Sequence, residues 1–413
     1  MSWIDVPPGS DFPLENLPYG IFEHADGSGH AGVAIGDRIL DLRAVAEAGL
    51  LDGIDARSLF GSETLNALLA AGPSLWRALR ARLTDLLSRG GDAALQSARE
   101  EAFFADRSRV KMCLPVAIGD YVDFYSSEQH AANLGRIFRP DGDPLLPNWK
   151  WLPVGYHGRA GSIVVGGTPV VRPCGQRQTP QAVAPEWGPS LMLDIELEVG
   201  FFTGDAAIFG VVLVNDWSAR DIQAWEYQPL GPFLGKSFAT SLSPWIVTIE
   251  ALESFRVPPP RQDPEPLAYL RVTGDASYDI HLAVELQSAQ MRRDGIPAAQ
   301  ISRTNARELY WTFEQQLAHA RSNGARIRPG DLFASGTISG SAPQSYGSLI
   351  ELTWRETKPL SLPSGETRTF LEDGDEVTLC GWCERDGLRI GFGECRGRIA
   401  PAHVAAGSAT HER

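Results

Sequence analysis

The sequence predicts a mainly β protein, with a small N-terminal domain of a few strands followed by a larger C-terminal mixed β-sandwich roll carrying a few helices. Three observations carry this reading. The 42 Gly and 29 Pro are scattered between short apolar runs, which is the punctuation of strands and turns. Turn signals such as Arg328-Pro329-Gly330-Asp331 and Glu372-Asp373-Gly374-Asp375 recur along the C-terminal part. The run Leu193-Asp194-Ile195-Glu196-Leu197-Glu198-Val199 alternates apolar and acidic residues with the period of a strand.

Composition bounds the function. The 413 residues leave room for two or three domains, and 43% hydrophobic with 21% charged residues is ordinary for a soluble globular chain. A formal net charge of −14 argues against nonspecific binding to nucleic acid or an anionic membrane, both of which need clustered Lys and Arg. Met1-Ser2-Trp3-Ile4-Asp5 has neither a basic region nor an apolar core of a signal peptide, and no apolar run reaches bilayer length. A soluble, cytoplasmic protein is therefore expected. Five cysteines, an odd number in a long chain, are expected as reduced thiols.

In chain order, residues 32–35 and 38–42 read as strands, residues 65–69 and 76–88 as helical, and after Gly90-Gly91 an acidic helix runs to about Glu101. This first domain, residues 1–112, is joined through residues 103–110 to the second, residues 113–413. Two helices interrupt the strands of the second domain, near residues 126–137 and 304–322. Residues 257–266 read as a proline-rich surface loop and residues 405–413 as a mobile tail.

The alternating run places Asp194, Glu196 and Glu198 on one face, opposite Leu193, Ile195, Leu197 and Val199. Carboxylates side by side repel unless water, a basic partner or a metal compensates; a solvated edge strand is the alternative. Asp123 and Tyr125 share a face at a strand end, and Ser126 with Gln129 reads as a capping box opening a helix with His130 in its first turn. The positive helix start favours a neutral imidazole there, although a capped surface helix explains the same residues. Ser218 is placed to cap a short helix with Asp221 at its third position, which puts Arg220, Gln223 and Tyr227 on one face and Asp216 just ahead. A solvated amphipathic helix is the other reading.

Lys236 sits between apolar residues in a Gly-Lys-Ser that lacks the rest of a phosphate loop; it is either snorkelling or functional. The loop 335–341 could offer backbone N–H groups and the Thr337 hydroxyl to a carboxylate, with plain turn glycines as the default. Glu351 follows on an apolar strand, where an unpaired carboxylate is costly. Cys380-Gly381-Trp382-Cys383 has no second cysteine pair or neighbouring histidine and reads as strand. His24, His30, His157, His281, His319, His403 and His411 show no ligand spacing. An oxygen-only set of Asp123, Glu196, Glu198 and Asp216 selects a hard cation, Mg2+ or Ca2+, over zinc. Lys236 and Arg220 are placed to offset the remaining negative charge.

Several long runs in order resemble the fumarylacetoacetate hydrolase family: Gly119-Asp-Tyr-Val-Asp-Phe-Tyr-Ser-Ser127, Leu146-Pro-Asn-Trp149, Pro153-Val-Gly-Tyr-His-Gly-Arg159, Asp194-Ile-Glu-Leu-Glu198, Asn215-Asp-Trp-Ser-Ala-Arg-Asp-Ile-Gln223, Pro229-Leu-Gly-Pro-Phe-Leu-Gly-Lys-Ser237 and Ser335-Gly-Thr-Ile-Ser-Gly340. The similarity spans nearly the whole chain and is densest from about 112 to 245. The resemblance implies an N-terminal SH3-like barrel, a C-terminal β-roll, a homodimer, and hydrolysis of a carbon–carbon bond in a small 1,3-diketo acid. By position, Asp123, Glu196, Glu198 and Asp216 are similar to its calcium ligands, with a second cation site at Asp216, the Lys236 backbone and Thr240. His130 corresponds to the general base, oriented by Glu351. Tyr125, Arg139, Tyr156, Gln223, Tyr227 and Thr337 would hold substrate, while Arg220, Gln223 and Lys236 would stabilise the leaving carbanion. Ala239 departs from the glycine expected in animal members. Sister branches act on acylpyruvates and other diacids; the length, N-terminal domain and tyrosine-rich pocket favour the branch acting on fumarylacetoacetate. A non-catalytic calcium-binding module would explain the acidic strand but not His130, Glu351 and Lys236.

Overall fold

The computed structural model describes residues 1–97, 102–179, 182–205 and 207–403. An antiparallel five-stranded N-terminal sheet has the order Phe104–Asp106, Arg38–Asp41, Gly29–Ile35, Tyr19–Glu23, Met112–Cys113. Its last strand ends at Cys113. Arg38–Asp41 passes straight into the helix Leu42–Glu47, because the Asp41 carboxylate accepts from the backbone N–H groups of Arg43 and Ala44. The helix Pro73–Leu87 starts on a proline whose missing N–H costs nothing there, and it buries Trp76, Leu79, Leu83, Leu86 and Leu87 against the sheet's core. Residues 93–97 form turns. The remainder of the acidic helix expected to about Glu101 lies outside the described residues, as does the tail from residue 405.

The larger part contains an eight-stranded mixed sheet. Its path runs Gly155–His157, Tyr121–Phe124, Leu332–Ala334, Leu197–Thr203, Ile208–Asn215, Thr240–Leu242, Ile163–Val165, with Val247–Thr248 beside Ile208–Asn215. The two central strands are covered on both faces, which is why residues 199–202 and 208–214 are apolar on both sides. Phe202, Val212 and Val214 face the N-terminal core. Phe201, Val211 and Leu213 face a second sheet that supplies Leu282, Val284, Leu379, Ile390 and Phe392. That sheet has the order Ala299–Asn305, His281–Gln287, Glu376–Arg385, Leu388–Ala400, Val170–Val171. Each such side chain stabilises the fold by about 1.5–3 kcal/mol. Cys380 and Cys383 lie on the Glu376–Arg385 strand as expected, with Cys383 buried and Cys380 partly so; burial pushes the Cys380 thiol up to about 12. Among the described residues no helix is long and apolar enough to cross a membrane.

Five local expectations are corrected. The acidic strand is broken: Leu193–Asp194 pairs with Ser218–Ala219, and pairing resumes only at Leu197, because the Asn215 side chain accepts the Glu196 N–H in place of a ladder partner. The helix bearing His130, Glu128–Phe138, is capped by Ser127 and not Ser126, whose hydroxyl instead accepts from Gln316. Ser218 does not cap the helix Arg220–Glu226, since it sits in the bridge to Asp194 and its hydroxyl donates to the Asp216 carbonyl. Glu351 lies on the short helix Leu349–Leu352, started where Asp194 accepts the N–H groups of Leu349 and Ile350. Over residues 304–322, a strand ends at Asn305 and the helix Phe313–Arg321 begins with a capping box of Thr312 and Gln315.

Gly135 lies in the His130 helix, where an added Cβ would sit 1.8 Å from the Pro144 carbonyl oxygen. We expect Gly135→Ala to destabilise the protein by about 1–3 kcal/mol through overpacking against backbone. An unchanged thermal midpoint would show that the 139–148 segment yields freely.

Candidate active site

The mouth of the large sheet gathers the carboxylates. Asp123 comes from Tyr121–Phe124, Glu198 from Leu197–Thr203, and Asp216 from the turn after Ile208–Asn215. Gly336, at φ 77°, bends the neighbouring loop so that its N–H donates to Glu198 Oε2 at 3.1 Å; a Cβ there would meet the Phe124 carbonyl oxygen at 2.3 Å. Ligand atoms of Asp123, Glu198 and Asp216 lie within 4.8 Å of one another. Glu196 is adjacent but not in that group: it is held by Lys236 and by Arg220 at 2.8 Å. Lys236 also donates to Asp216 Oδ2 at 2.5 Å, and Thr240 to Asp216 Oδ1 at 2.8 Å. Arg220 Nε donates to Asp194 at 2.8 Å. Burial opposes charge on Lys236, but Asp216 and Glu196 outweigh it and hold the ammonium above its usual range.

The charge balance of this pocket suits a bound cation. Among the described residues five buried carboxylates (Asp123, Asp194, Glu196, Glu198, Asp216) face three buried cations (Arg159, Arg220, Lys236), so full ionisation of the carboxylates leaves two negative charges without a counter-charge. Asp123 Oδ1 and Glu198 Oε1 are buried with no hydrogen-bond partner. Such oxygens are costly unless an ion or water takes them, and oxygen donors alone suit a hard divalent ion. Burial first, then the Asp216 charge, pushes the Asp123 carboxyl up to about 8; burial and the charges of Asp123, Asp216 and Glu196 raise Glu198 as well.

Between the ordinary carboxylate value of about 4 and about 8, the cation-free folded protein holds a proton at Asp123 that the unfolded chain has lost, and the raised Glu198 carboxyl acts in the same direction. Their contribution to stability is thus full below the unfolded value and lost as pH rises through the folded one. We expect the thermal midpoint in chelator to fall from pH 5 to pH 8, and saturating divalent ion to flatten that fall. Parallel curves with and without the ion would contradict this.

Beside the cluster lies a buried dyad. His130 Nδ1 is 2.7 Å from Glu351 Oε2, and both side chains are nearly inaccessible. Burial works to raise Glu351, yet the His130 charge and the bonds from His130, Asn133 and Ser348 outweigh it and hold the carboxyl below its usual range. Asn133 donates to Oε1 at 2.9 Å, and Ser339 and Ser348 donate to Oε2 at 2.9 and 2.7 Å. An ionised carboxylate only accepts, so Nδ1 carries a proton, and in the neutral ring Nε2 is then the lone-pair atom. The Tyr125 ring stands edge-on to His130 at 5.3 Å.

Other predicted residues are placed less uniformly. Thr337 is buried with its hydroxyl unpartnered. Gln223 accepts from Arg220 Nη1 at 3.2 Å, while Arg220 Nη2 has no partner. Tyr156 packs its ring on Arg159 at 5.0 Å. Arg139 is exposed and donates to the Pro144 carbonyl, and Tyr227 is 46% exposed with its hydroxyl accepting from Gln228. Sequence reasoning missed Arg159, Asn133, Ser339 and Ser348 as members of the site. Only Asn133, one helical turn after His130, carried a readable signal.

His24, His30 and Asp41 also come within ligand distance, which sequence spacing did not reveal. The two imidazoles stack face to face at 4.3 Å and 3°, so their in-plane lone pairs run parallel and do not converge on an ion. Asp41 is already engaged by His30 Nδ1 at 2.7 Å and by the helix start it caps.

Comparison with known proteins gives a consistent picture. The family described as "Fumarylacetoacetate (FAA) hydrolase C-terminal" matches residues 121–400, and "Fumarylacetoacetase N-terminal" matches residues 15–115. The chain is 50% identical to a Caenorhabditis elegans protein named fumarylacetoacetase, covering 98% of this chain and 100% of the relative. It is 48% identical to the Homo sapiens fumarylacetoacetase, covering 97% and 99%. A solved structure named fumarylacetoacetate hydrolase, from psychrophilic Exiguobacterium antarcticum, shares the fold at a TM-score of 0.52 and 15% identity, covering 93% of this chain and 99% of that one.

Proposed function

The chain belongs to the fumarylacetoacetate hydrolase family, and from that premise we propose that it hydrolyses the carbon–carbon bond of fumarylacetoacetate to give fumarate and acetoacetate, the last step of tyrosine and phenylalanine breakdown. The observation that carries the reading is the buried His130–Glu351 dyad set beside a carboxylate cluster two positive charges short. It fits a reaction that needs both a base for water and a cation for a developing enolate.

Asp123, Glu196, Glu198 and Asp216 would hold Ca2+, with Asp216, the Lys236 backbone and Thr240 as a second site for Mg2+. A divalent ion there supplies electrophilic polarisation of the diketone oxygens and charge compensation. The chain's own groups do the rest. His130 Nε2 takes a proton from water as the oxygen attacks the carbonyl next to the fumaryl unit. Glu351 fixes the ring's tautomer and offsets its charge once protonated. When the bond breaks, the electron pair passes to the acetoacetate carbon and is delocalised onto its carbonyl oxygen. The unpartnered Arg220 Nη2, the Lys236 ammonium and Gln223 are the donors available to it. Protonation of the carbanion completes acetoacetate. Tyr125, Tyr156, Tyr227, Thr337 and Arg139 are the groups proposed to hold the substrate, Arg139 by charge-assisted bonds to a carboxylate.

We place the activity in the cytoplasm and in a homodimer. Trp187, Leu191, Trp225, Leu230, Phe233 and Leu234 are 42–97% exposed around the helix Arg220–Glu226, an apolar surface of the kind a subunit contact covers.

The test is a side-by-side measurement of kcat/KM on fumarylacetoacetate and on an acylpyruvate, with products identified. Fumarate and acetoacetate from the first, at the higher efficiency, support the reading. Cleavage of the acylpyruvate alone would move the chain to a sister branch.

A further inference from the structure

Arg159 occupies a position that the reaction as described does not use. Its backbone lies in the left-handed region at φ 75°, ψ 7°, a conformation that a residue with a Cβ adopts only when its surroundings enforce it. The side chain turns inward and is 5% exposed. One arm of the guanidinium, Nη1, donates to Asp216 Oδ1 at 2.6 Å; the other, Nη2, donates to Asp123 Oδ2 at 2.9 Å. The group is clamped between two rings, Tyr121 at 4.7 Å and Tyr156 at 5.0 Å, a stacking that suits a planar cation and not a compact ammonium.

Each carboxylate that Arg159 touches has a different remainder. Asp216 is also held by Lys236 and Thr240. Among the described residues Asp123 has no other donor, and its Oδ1 is buried and unpartnered. Without Arg159 no other described residue fixes the rotation of the Asp123 carboxylate, whereas Glu198 is independently fixed by the Gly336 N–H.

We propose that Arg159 is a positioning residue of the cation site: its fork pins one oxygen of Asp123 and one of Asp216 together, leaving Asp123 Oδ1 presented with Glu198 Oε1 to a divalent ion. The proposal rests on the reading of this cluster as a cation site. It makes a prediction opposite in sign to simple electrostatics. Deleting a positive charge beside a divalent ion should tighten binding if charge alone mattered. If Arg159 acts by holding its neighbours in place, deletion weakens binding, by about 10–100-fold as for other groups that orient metal ligands.

Arg159→Gly is the informative variant, because glycine accepts φ 75° without strain and the change removes the side chain alone. Arg159→Lys keeps the charge but loses the fork. Ca2+ and Mn2+ titrations by calorimetry on wild type and both variants, with circular dichroism as a folding check, decide the matter. We expect both variants to bind about 10–100-fold more weakly, and guanidinium in the buffer to restore part of the affinity of Arg159→Gly but none of that of Arg159→Lys. Wild-type or tighter affinity in either folded variant overturns the proposal, and should the glycine variant not fold, the lysine variant alone decides. Absence of divalent binding by the wild type would instead strike the cation reading on which the proposal stands.

Discussion

Replacing His130 by alanine is expected to lower kcat by about two to four orders of magnitude, the usual worth of a positioned general base, with the fold retained. The structure gives a specific reason for retention. Glu351 keeps three of its donors, Asn133, Ser339 and Ser348, when the imidazole is gone, so no buried carboxylate is left bare. The Ser127 cap is also preserved, because it bonds the backbone N–H of residue 130 and not the ring. Steady-state kinetics beside circular dichroism checks this. Turnover within tenfold of wild type would remove His130 from the role of base.

Lys236→Met should have the largest effect on stability. The ammonium is 2% exposed and serves Glu196 and Asp216 together. Truncating it strands two buried carboxylates, and breaking a buried pair from one side costs about 3–5 kcal/mol. An exposed pair such as Arg43–Glu47 is worth about 0–1 kcal/mol by comparison. The urea midpoint of the variant in chelator measures the loss, and adding Glu196→Gln to it should recover part by removing one stranded charge. A loss below about 1 kcal/mol would mean that the pocket is wetter than its burial implies.

How far the sequence disclosed this protein depended on whether a feature was local. The mainly β class was legible because strands bounded by Gly, Pro and Asp turns leave a local mark, and the helix Glu128–Phe138 was legible from the cap-type residues at its start. The four apolar positions Leu193, Ile195, Leu197 and Val199 are all fully buried, as their spacing required. The break between Asp194 and Leu197 was not legible, because the group that replaces the ladder bond is the side chain of Asn215, nineteen residues on. Ser126 and Ser127 are equally good caps by type; what separates them is Gln316, which claims the Ser126 hydroxyl from 190 residues away. Glu351 read as strand because Leu349-Ile350-Glu351-Leu352 is short and apolar, and its helix is started by Asp194 from a distant strand. Asp123, Glu198 and Asp216 were each visible as candidates, but their company with Arg159 was not: a lone arginine after Gly158 carries no local sign that it will enter a pocket.

The measurement that tests the whole account most directly is turnover of fumarylacetoacetate, followed by loss of the diketone absorbance, before and after exhaustive dialysis against a chelator. Turnover is expected to disappear on chelation while circular dichroism stays unchanged, and to return on adding Ca2+ or Mg2+. Full turnover after the divalent ions have been removed would contradict it, since the uncompensated carboxylates of Asp123 and Glu198 would then serve no cation at all.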